Sequence, residues 1–160
     1  MKEVKKKTSF VIYDSATDLE AENRDLMSRA KFAITNSYAP YSRFHVGAAV
    51  LLENGEIVTG NNQENAAYPS GMCAERVAIW NASSQFPNVT IKKIALTVKS
   101  ENQEVKTPVA PCGACRQTLL EYEKKQNKPI EVFFMGEVGQ VIKAYSLVDL
   151  LPFSFDQSFL

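Results

Sequence analysis

Three cysteines are the residues best suited to do chemistry in this 160-residue chain, which contains no others. Glu75 follows Cys73 by two residues, and Cys112 and Cys115 are separated by Gly-Ala. Catalytic zinc sites commonly use three protein ligands and keep one position for water, whereas structural sites use four. Three thiolates with a carboxylate nearby therefore predict a zinc site that activates water.

Both cysteine groups are predicted to begin helices, and this placement has an electrostatic use. Zinc with three thiolates carries a formal charge of about −1, which weakens its pull on a bound water. Each helix N-terminus contributes roughly +0.5 of a charge and favours the thiolate form. Arg76, next to Glu75, is expected to donate a hydrogen bond to a thiolate. These contributions together favour a bound water with a pKa near the ~7 of catalytic zinc.

Glu75 is the candidate proton carrier. Helical residues two apart point in different directions, so Glu75 is expected beside the metal rather than bound to it. A carboxylate in that position can take a proton from water and deliver it to a substrate, which is worth about 10²–10⁴ in rate.

Simpler interpretations of the same residues remain open. A Cys-x-x-Cys pair is also typical of redox sites and of structural zinc sites. Glu75 alone is equally consistent with a first-turn acid that complements the helix dipole. The single histidine, His45, lies in an alternating apolar strand, where a core or interface role is the more common one.

The composition restricts the class of protein. Hydrophobic residues make up 45% and charged residues 22% of the chain, and its formal net charge is zero. That balance disfavours a nucleic-acid partner, which normally requires a basic surface. An odd number of cysteines argues against a disulfide framework, and reduced thiols favour the cytoplasm. The apolar stretch after the basic N-terminus is too short for a signal peptide, and no segment is long enough to span a membrane.

The chain is predicted to contain an N-terminal arm (1–17) and one α/β layered domain (18–160) with a mixed sheet. Thr17 and Glu20 fit a capping box before the first helix. Asn54-Gly55 predicts a two-residue hairpin turn, and Ser146 is a candidate cap for a last short helix. Five strands are expected, near 45–52, 56–59, 91–98, 129–135 and 141–145.

Four segments, in order and spacing, resemble the zinc-dependent cytidine deaminases, and specifically the small homotetrameric members whose three zinc ligands are cysteines. The resemblance extends from about Ala21 to Phe155. The fold that it implies is a three-layer α/β/α domain with a mixed five-stranded sheet. The matching segments are Tyr41-Ser42-Arg43-Phe44-x-Val46-Gly47-Ala48-Ala49, Asn62-x-Glu64-Asn65-Ala66-x-Tyr68-Pro69, Cys73-Ala74-Glu75-Arg76 and Pro111-Cys112-Gly113-Ala114-Cys115-Arg116-Gln117.

The resemblance implies a function: zinc-activated water deaminates cytidine and 2′-deoxycytidine, a reaction of pyrimidine salvage, in a homotetramer with one zinc per subunit. It makes the three cysteines the zinc ligands, Glu75 the proton carrier and Arg76 a neighbour of the thiolates. The implied partners of the pyrimidine nucleoside are Asn62 and Glu64 for the sugar 3′-hydroxyl, Phe44 and the backbone at Ala66 for the base, and Tyr68 and Phe155 from a neighbouring subunit.

Two alternative functions share parts of this pattern. Deaminases of blasticidin-type nucleoside antibiotics have the same zinc motif, but the Asn62-x-Glu64 pair argues against them. A zinc-stabilised binding module without catalysis would instead close its site with a fourth protein ligand. The chain also departs from the family at Ala110, where relatives commonly carry a hydroxyl residue.

Overall fold

Six strands form one mixed sheet in a computed structural model that describes all 160 residues. β4 and β5 are parallel, and every other neighbouring pair is antiparallel. The spatial order is β1 (Phe10–Tyr13), β6 (Val141–Ala144), β5 (Glu131–Met135), β4 (Ile91–Ser100), β2 (Phe44–Leu52) and β3 (Ile57–Asn61).

The prediction of five strands is wrong by one, because the segment Phe10–Tyr13 pairs with β6 as an edge strand. Phe10 lies opposite Ala144, so the partner is far away in sequence. A strand of only four residues with half its side chains exposed carries a weak local signal. The other five strands lie where the hydrophobic pattern predicts them, within a few residues at each end.

Helices cover both faces of the sheet, which confirms the three-layer α/β/α fold. α1 (Ala21–Ala33) packs on one face, and α2 (Ala74–Gln85), α3 (Gly113–Gln126) and the short α4 (Leu147–Leu150) pack on the other. The alternation along β2 separates the two cores: Ala49 and Leu51 face α1, and Val50 faces the opposite side. None of these helices combines the length and the apolar character needed to cross a membrane.

Of the three local turn and cap predictions, the Ser146 cap is confirmed, the hairpin turn differs in its length, and the N-terminal capping box lies elsewhere. The β2–β3 hairpin forms where it is predicted, but its loop is Glu53, Asn54 and Gly55 and not the two-residue turn expected, because the Leu52 N–H donates to the Glu56 carbonyl and only Gly55, with a φ of 88°, has a positive φ. The Ser146 side chain accepts a hydrogen bond from the Val148 N–H, as predicted. The capping box at the N-terminus is formed by Ser15 and Asp18, not by Thr17 and Glu20. The difference arises because a short 3₁₀ turn, Ala16–Asp18, precedes α1, and the capping box lies at the start of that turn and not at the start of α1.

The strand order explains why distant motifs meet. β3 and β4 are both antiparallel to β2, so they run in the same direction and end at the same edge of the sheet. α2 follows β3 along the chain and α3 follows β4, so both helices begin at that edge. β2 begins there too, with Phe44 as its first residue. The N-termini of α2 and α3 and the start of β2 therefore lie together at the end of the sheet where β3 and β4 finish.

Gly60 allows α2 to lie directly on β3. A Cβ atom at Gly60 would be 2.4 Å from the Ala78 nitrogen and 2.6 Å from the Ala74 oxygen, both backbone atoms of α2. Ala74 and Ala78 are themselves fully buried and small. This close approach fixes the N-terminal turn of α2 relative to the sheet, and that turn contains Glu75.

Candidate active site

The three cysteines converge at the sheet edge where α2 and α3 begin. Their sulfur atoms lie within 4.8 Å of one another, and the Sγ atoms of Cys73 and Cys112 are 3.9 Å apart. Cys73 is the N-cap residue of α2 and Cys112 that of α3, yet neither side chain caps its own helix. Cys115 is fully buried in the first turn of α3. The sulfurs thus face one another, not their helices.

The spacing of the sulfurs fits a zinc ion. A tetrahedral site with zinc–sulfur bonds of about 2.3 Å separates two sulfurs by roughly 3.8 Å, close to the distance between Cys73 and Cys112. The group of candidate ligands contains three cysteines and no fourth histidine, cysteine or carboxylate. Three protein ligands match the donor set of an open, catalytic zinc site.

The charge distribution in the metal-free cluster favours one thiolate, that of Cys73. The pKa of Cys73 falls to about 5, first because the Cys115 thiol hydrogen-bonds to it and also because Arg76 does. The Arg76 Nη2 atom donates to Cys73 Sγ at 3.3 Å, as the sequence predicts. The pKa of Cys115 is raised well above its usual range, because its proton is shared with the Cys73 thiolate and because it is buried. Cys73 is therefore the first ligand available as an anion.

Glu75 lies in the first turn of α2 with only 4% of its surface exposed. Burial raises the pKa of this carboxyl, and the negative charge of Cys73 raises it further. A hydrogen bond from the Cys115 thiol acts in the opposite direction. A carboxyl with a raised pKa beside the metal ligands is suited to accepting a proton and returning it.

A cavity of about 750 Å³ opens at the cluster. That volume is typical of small-molecule sites. It contains most of the side chains predicted from the sequence, but Ala66 and Phe155 do not line it, and the fully buried Cys115 lies behind its wall. Phe155 is 59% exposed, in the C-terminal segment. The predicted residues that line the cavity are Phe44, Asn62, Glu64, Tyr68, Cys73, Glu75, Arg76 and Cys112.

Glu64 and Asn62 are held in place by backbone groups. Glu64 Oε2 accepts hydrogen bonds from the backbone N–H groups of Tyr41 at 2.9 Å and Ser42 at 3.3 Å. The Ser42 hydroxyl above all, and these two backbone N–H groups, hold the pKa of Glu64 below its usual range. The Asn62 side chain accepts from the Val46 N–H and donates to the Phe44 carbonyl, each at 2.8 Å. Asn62 therefore also fixes the start of β2.

Sequence reasoning assigned no role to Tyr41 and Ser42, although both belong to the matched segments. Their backbone groups bind Glu64, and both residues line the cavity. A backbone donor leaves no trace in side-chain identity, so the only available signal was their place between Pro40 and Phe44. Tyr41 also packs edge-to-face against Tyr68 at the cavity, with ring centroids 6.1 Å apart.

Comparison with known proteins identifies the family. Residues 20–128 match the family described as the zinc-binding region of cytidine and deoxycytidylate deaminases. The chain belongs to this family. The cytidine deaminase of Halalkalibacterium halodurans is 37% identical over 130 residues, which cover 81% of this chain and 91% of that protein. The cytidine deaminase of Mycobacterium tuberculosis is 39% identical over 130 residues, covering 81% and 86%.

Solved structures of cytidine deaminases share the fold. That from Burkholderia pseudomallei superposes with a TM-score of 0.72 at 37% identity, and covers 82% of this chain and 97% of its own. The structure from Mycobacterium tuberculosis gives a TM-score of 0.65 at 30% identity, covering 85% and 98%. The zinc-binding region that defines the family includes all three cysteines of this chain. The cofactor of this deaminase family member is therefore zinc.

His45 lies apart from the sulfur cluster in this deaminase family member. Its Nδ1 atom is 2.7 Å from the Ser37 hydroxyl and its Nε2 atom is 3.0 Å from Glu101 Oε1. Both ring nitrogens are thus engaged by groups outside the candidate metal site. His45 connects the start of β2 to the residue that follows β4, Glu101, which is a structural role.

The thiolate character of Cys73 gives a first testable prediction. In metal-free protein, ultraviolet thiolate absorbance should show one cysteine titrating with a pKa of about 5. Cys115→Ala should move that pKa towards the ~8.5 of a free cysteine, because the Cys115 thiol is its strongest stabilising partner. Cys112→Ala is the matched control and should have the smaller effect, since its hydrogen bond contributes least. A larger effect from Cys112→Ala would contradict this arrangement.

Proposed function

We propose that this protein converts cytidine and 2′-deoxycytidine to uridine and 2′-deoxyuridine, with water consumed and ammonia released. The observation that supports this most directly is that Cys73, Cys112, Glu75 and the Asn62/Glu64 pair line one cavity. A metal site, a proton carrier and groups suited to a sugar hydroxyl are what hydrolytic deamination of a nucleoside requires. The similar proteins from two bacteria are named cytidine deaminases.

Cys73, Cys112 and Cys115 would hold the zinc ion. When bound, zinc supplies a water molecule that is nucleophilic at neutral pH. Glu75 accepts a proton from this water and delivers it to N3 of the base as the new bond to C4 forms. Glu75 would then take the remaining proton of the former water, now on the hydroxyl group at C4, and transfer it to the amino group. The bond from C4 to nitrogen breaks, the C4 oxygen becomes the carbonyl of uridine, and ammonia leaves. Arg76 offsets the negative charge of the thiolates.

The other predicted residues would bind the nucleoside. We propose that Phe44 packs against the pyrimidine ring and that backbone groups at Ala66, next to the cavity residue Asn65, read its edge. Glu64 Oε1 makes neither of the backbone hydrogen bonds that hold Oε2, so it can accept a hydrogen bond from the 3′-hydroxyl group. One Asn62 N–H hydrogen remains to donate to the same hydroxyl.

The charges along the cavity favour a nucleoside over a nucleotide. Arg76 is the only cationic side chain in the lining, and it already donates to Cys73. Glu64 and Glu75 are both acidic. A substrate phosphate would meet no free cation and at least one carboxylate, which is unfavourable for binding. This supports cytidine, not its 5′-monophosphate, as the substrate.

We further propose a homotetramer whose active sites are shared between subunits. Tyr68 is 75% exposed although it lines the cavity, and Phe155 is exposed and does not line it. Large exposed aromatic side chains favour a protein contact. Phe155 would then complete the cavity of a neighbouring subunit. The reaction would serve pyrimidine salvage, and the three reduced cysteines favour the cytoplasm.

The role of Glu75 predicts a separation of metal binding from turnover. Glu75→Gln should retain zinc, measured by elemental analysis, because no sulfur ligand is changed. It should lower kcat for cytidine at least ~10²-fold, because the amide cannot carry the proton. Glu121→Gln, an exposed change on α3, serves as the control and should keep normal turnover. Near-normal activity of Glu75→Gln would remove the proposed proton carrier.

The proposed contact between Glu64 and the 3′-hydroxyl group predicts a preference for nucleosides that carry this hydroxyl. Wild-type protein should use 3′-deoxycytidine about 10–100-fold less well than cytidine, measured as kcat/KM, because a hydrogen bond to a charged group is lost. Glu64→Ala should discriminate little between the two substrates, whatever its overall activity. The ratio is decisive, because it cancels any general damage from the loss of the Tyr41 and Ser42 contacts. An unchanged preference in the variant would exclude a 3′-hydroxyl contact.

Sharing of the active site predicts complementation between two impaired subunits. Phe155→Ala and Glu75→Gln should each be weak alone, but their co-expressed mixture should recover activity, since one subunit supplies Glu75 and the other Phe155. A mixture of Glu75→Gln with Glu64→Ala is the matched control. Glu64 and Glu75 both belong to the cavity of a single subunit. Every site in that mixture therefore lacks one of the two carboxylates, and no activity should be recovered. No recovery with Phe155→Ala, or full activity of that variant alone, would contradict a shared site.

A further inference from the structure

α3 holds the short helix α4 at both ends through two side chains seven residues apart. Glu123 is buried, and its carboxylate accepts hydrogen bonds from the Leu147 N–H at 2.9 Å and the Ser146 hydroxyl at 2.6 Å. Arg116 Nη1 donates to the Leu150 carbonyl at 3.0 Å. An acid at the N-terminus and a base at the C-terminus match the unpaired backbone groups and the dipole of α4.

Arg116 also contacts the segment that carries Cys112, which Glu123 does not. Its Nε atom donates to the carbonyl oxygen of Pro111 at 2.8 Å, while Nη1 holds Leu150. Pro111 immediately precedes Cys112 and is buried. One guanidinium group therefore joins the segment that carries a candidate zinc ligand to the C-terminal end of α4. A planar guanidinium can make both bonds at once, which a lysine ammonium at the same position cannot do with the same geometry.

Cys112 is less enclosed by the protein than the other two cysteines. It is exposed, whereas Cys73 is partly buried and Cys115 is fully buried. It makes no capping hydrogen bond with α3. Its orientation is set by the backbone on either side, where Arg116 Nε fixes the Pro111 carbonyl and the Arg116 N–H bonds to the Cys112 carbonyl at 2.9 Å. Arg116 thus contacts both residues of the Pro111-Cys112 unit.

We propose that Arg116 is a positioning residue for the metal site, which holds Cys112 in its ligand geometry and joins it mechanically to α4. This inference rests on the proposed zinc site, but not on the substrate. Groups that orient a metal ligand without touching the metal typically contribute 10–100-fold to metal affinity. A loss of Arg116 should free the Pro111-Cys112 unit and make the exposed thiolate the first to dissociate.

The test compares Arg116→Gln with Glu123→Gln on the zinc-loaded, full-length protein. Both variants weaken the hold of α3 on α4, but only Arg116→Gln releases the Pro111 carbonyl. The rate of zinc transfer to an excess of a chromogenic chelator should rise about 10–100-fold in Arg116→Gln. It should stay near the wild-type rate in Glu123→Gln, even though thermal denaturation shows lower stability for both. Equal release rates for the two variants, or an unchanged rate in Arg116→Gln, would overturn the proposal.

A second measurement reports ligand geometry directly. With cobalt in place of zinc, the thiolate charge-transfer and ligand-field bands should shift in Arg116→Gln and remain as in wild type in Glu123→Gln. If Arg116→Gln does not fold, Arg116→Lys, which keeps the charge but only one of the two bonds, undergoes both measurements with the same criteria. A wild-type protein that binds zinc without deaminating cytidine would overturn the proposed function and leave this inference intact.

Discussion

The structure must hold three sulfur atoms within 4.8 Å of one another, although each is a potential negative charge. It does so by placing them where positive potential already exists. Two helices begin at the cluster, and Arg76 donates directly to one sulfur. The sheet order makes this possible, because β3 and β4 flank β2, run in the same direction and deliver α2 and α3 to one edge. The fold therefore supplies the positive potential that lowers the electrostatic free energy of a partly buried cluster of thiolates.

The surroundings of the cluster are fixed mainly by bonds to the backbone. Glu64 binds two N–H groups of the Tyr41-Ser42 segment, and Asn62 binds β2 at both a carbonyl and an N–H group. Arg116 likewise binds the Pro111 carbonyl, between the cavity residues Ala110 and Cys112. Polar side chains at this cavity thus hold the surrounding backbone in place in addition to facing its interior. Such preorganisation lets a site stabilise charge without rearranging during the reaction.

The chemistry of the site was predictable because it depends on rare residues at short spacings. Three cysteines and Glu75 define the cluster, and strong hydrophobic alternation predicts five of the six strands. The edge strand β1 escaped prediction, because its pairing with β6 is long-range and its own pattern is weak. The contacts of Tyr41 and Arg116 escaped for a different reason. They involve backbone carbonyl and N–H groups, which every residue type carries, so only the folded geometry identifies them.

The edge strand β1 also has a consequence for solubility. Without Phe10–Tyr13, strand β6 would present a free row of hydrogen-bonding groups, the template on which chains add to one another in fibrils and amorphous deposits. β1 covers that edge, and Lys5, Lys6 and Lys7 precede the new edge strand in the sequence, where their positive charges disfavour pairing with a second copy. A chain shortened from its N-terminus would keep every residue of the cavity and still lose this protection against self-association.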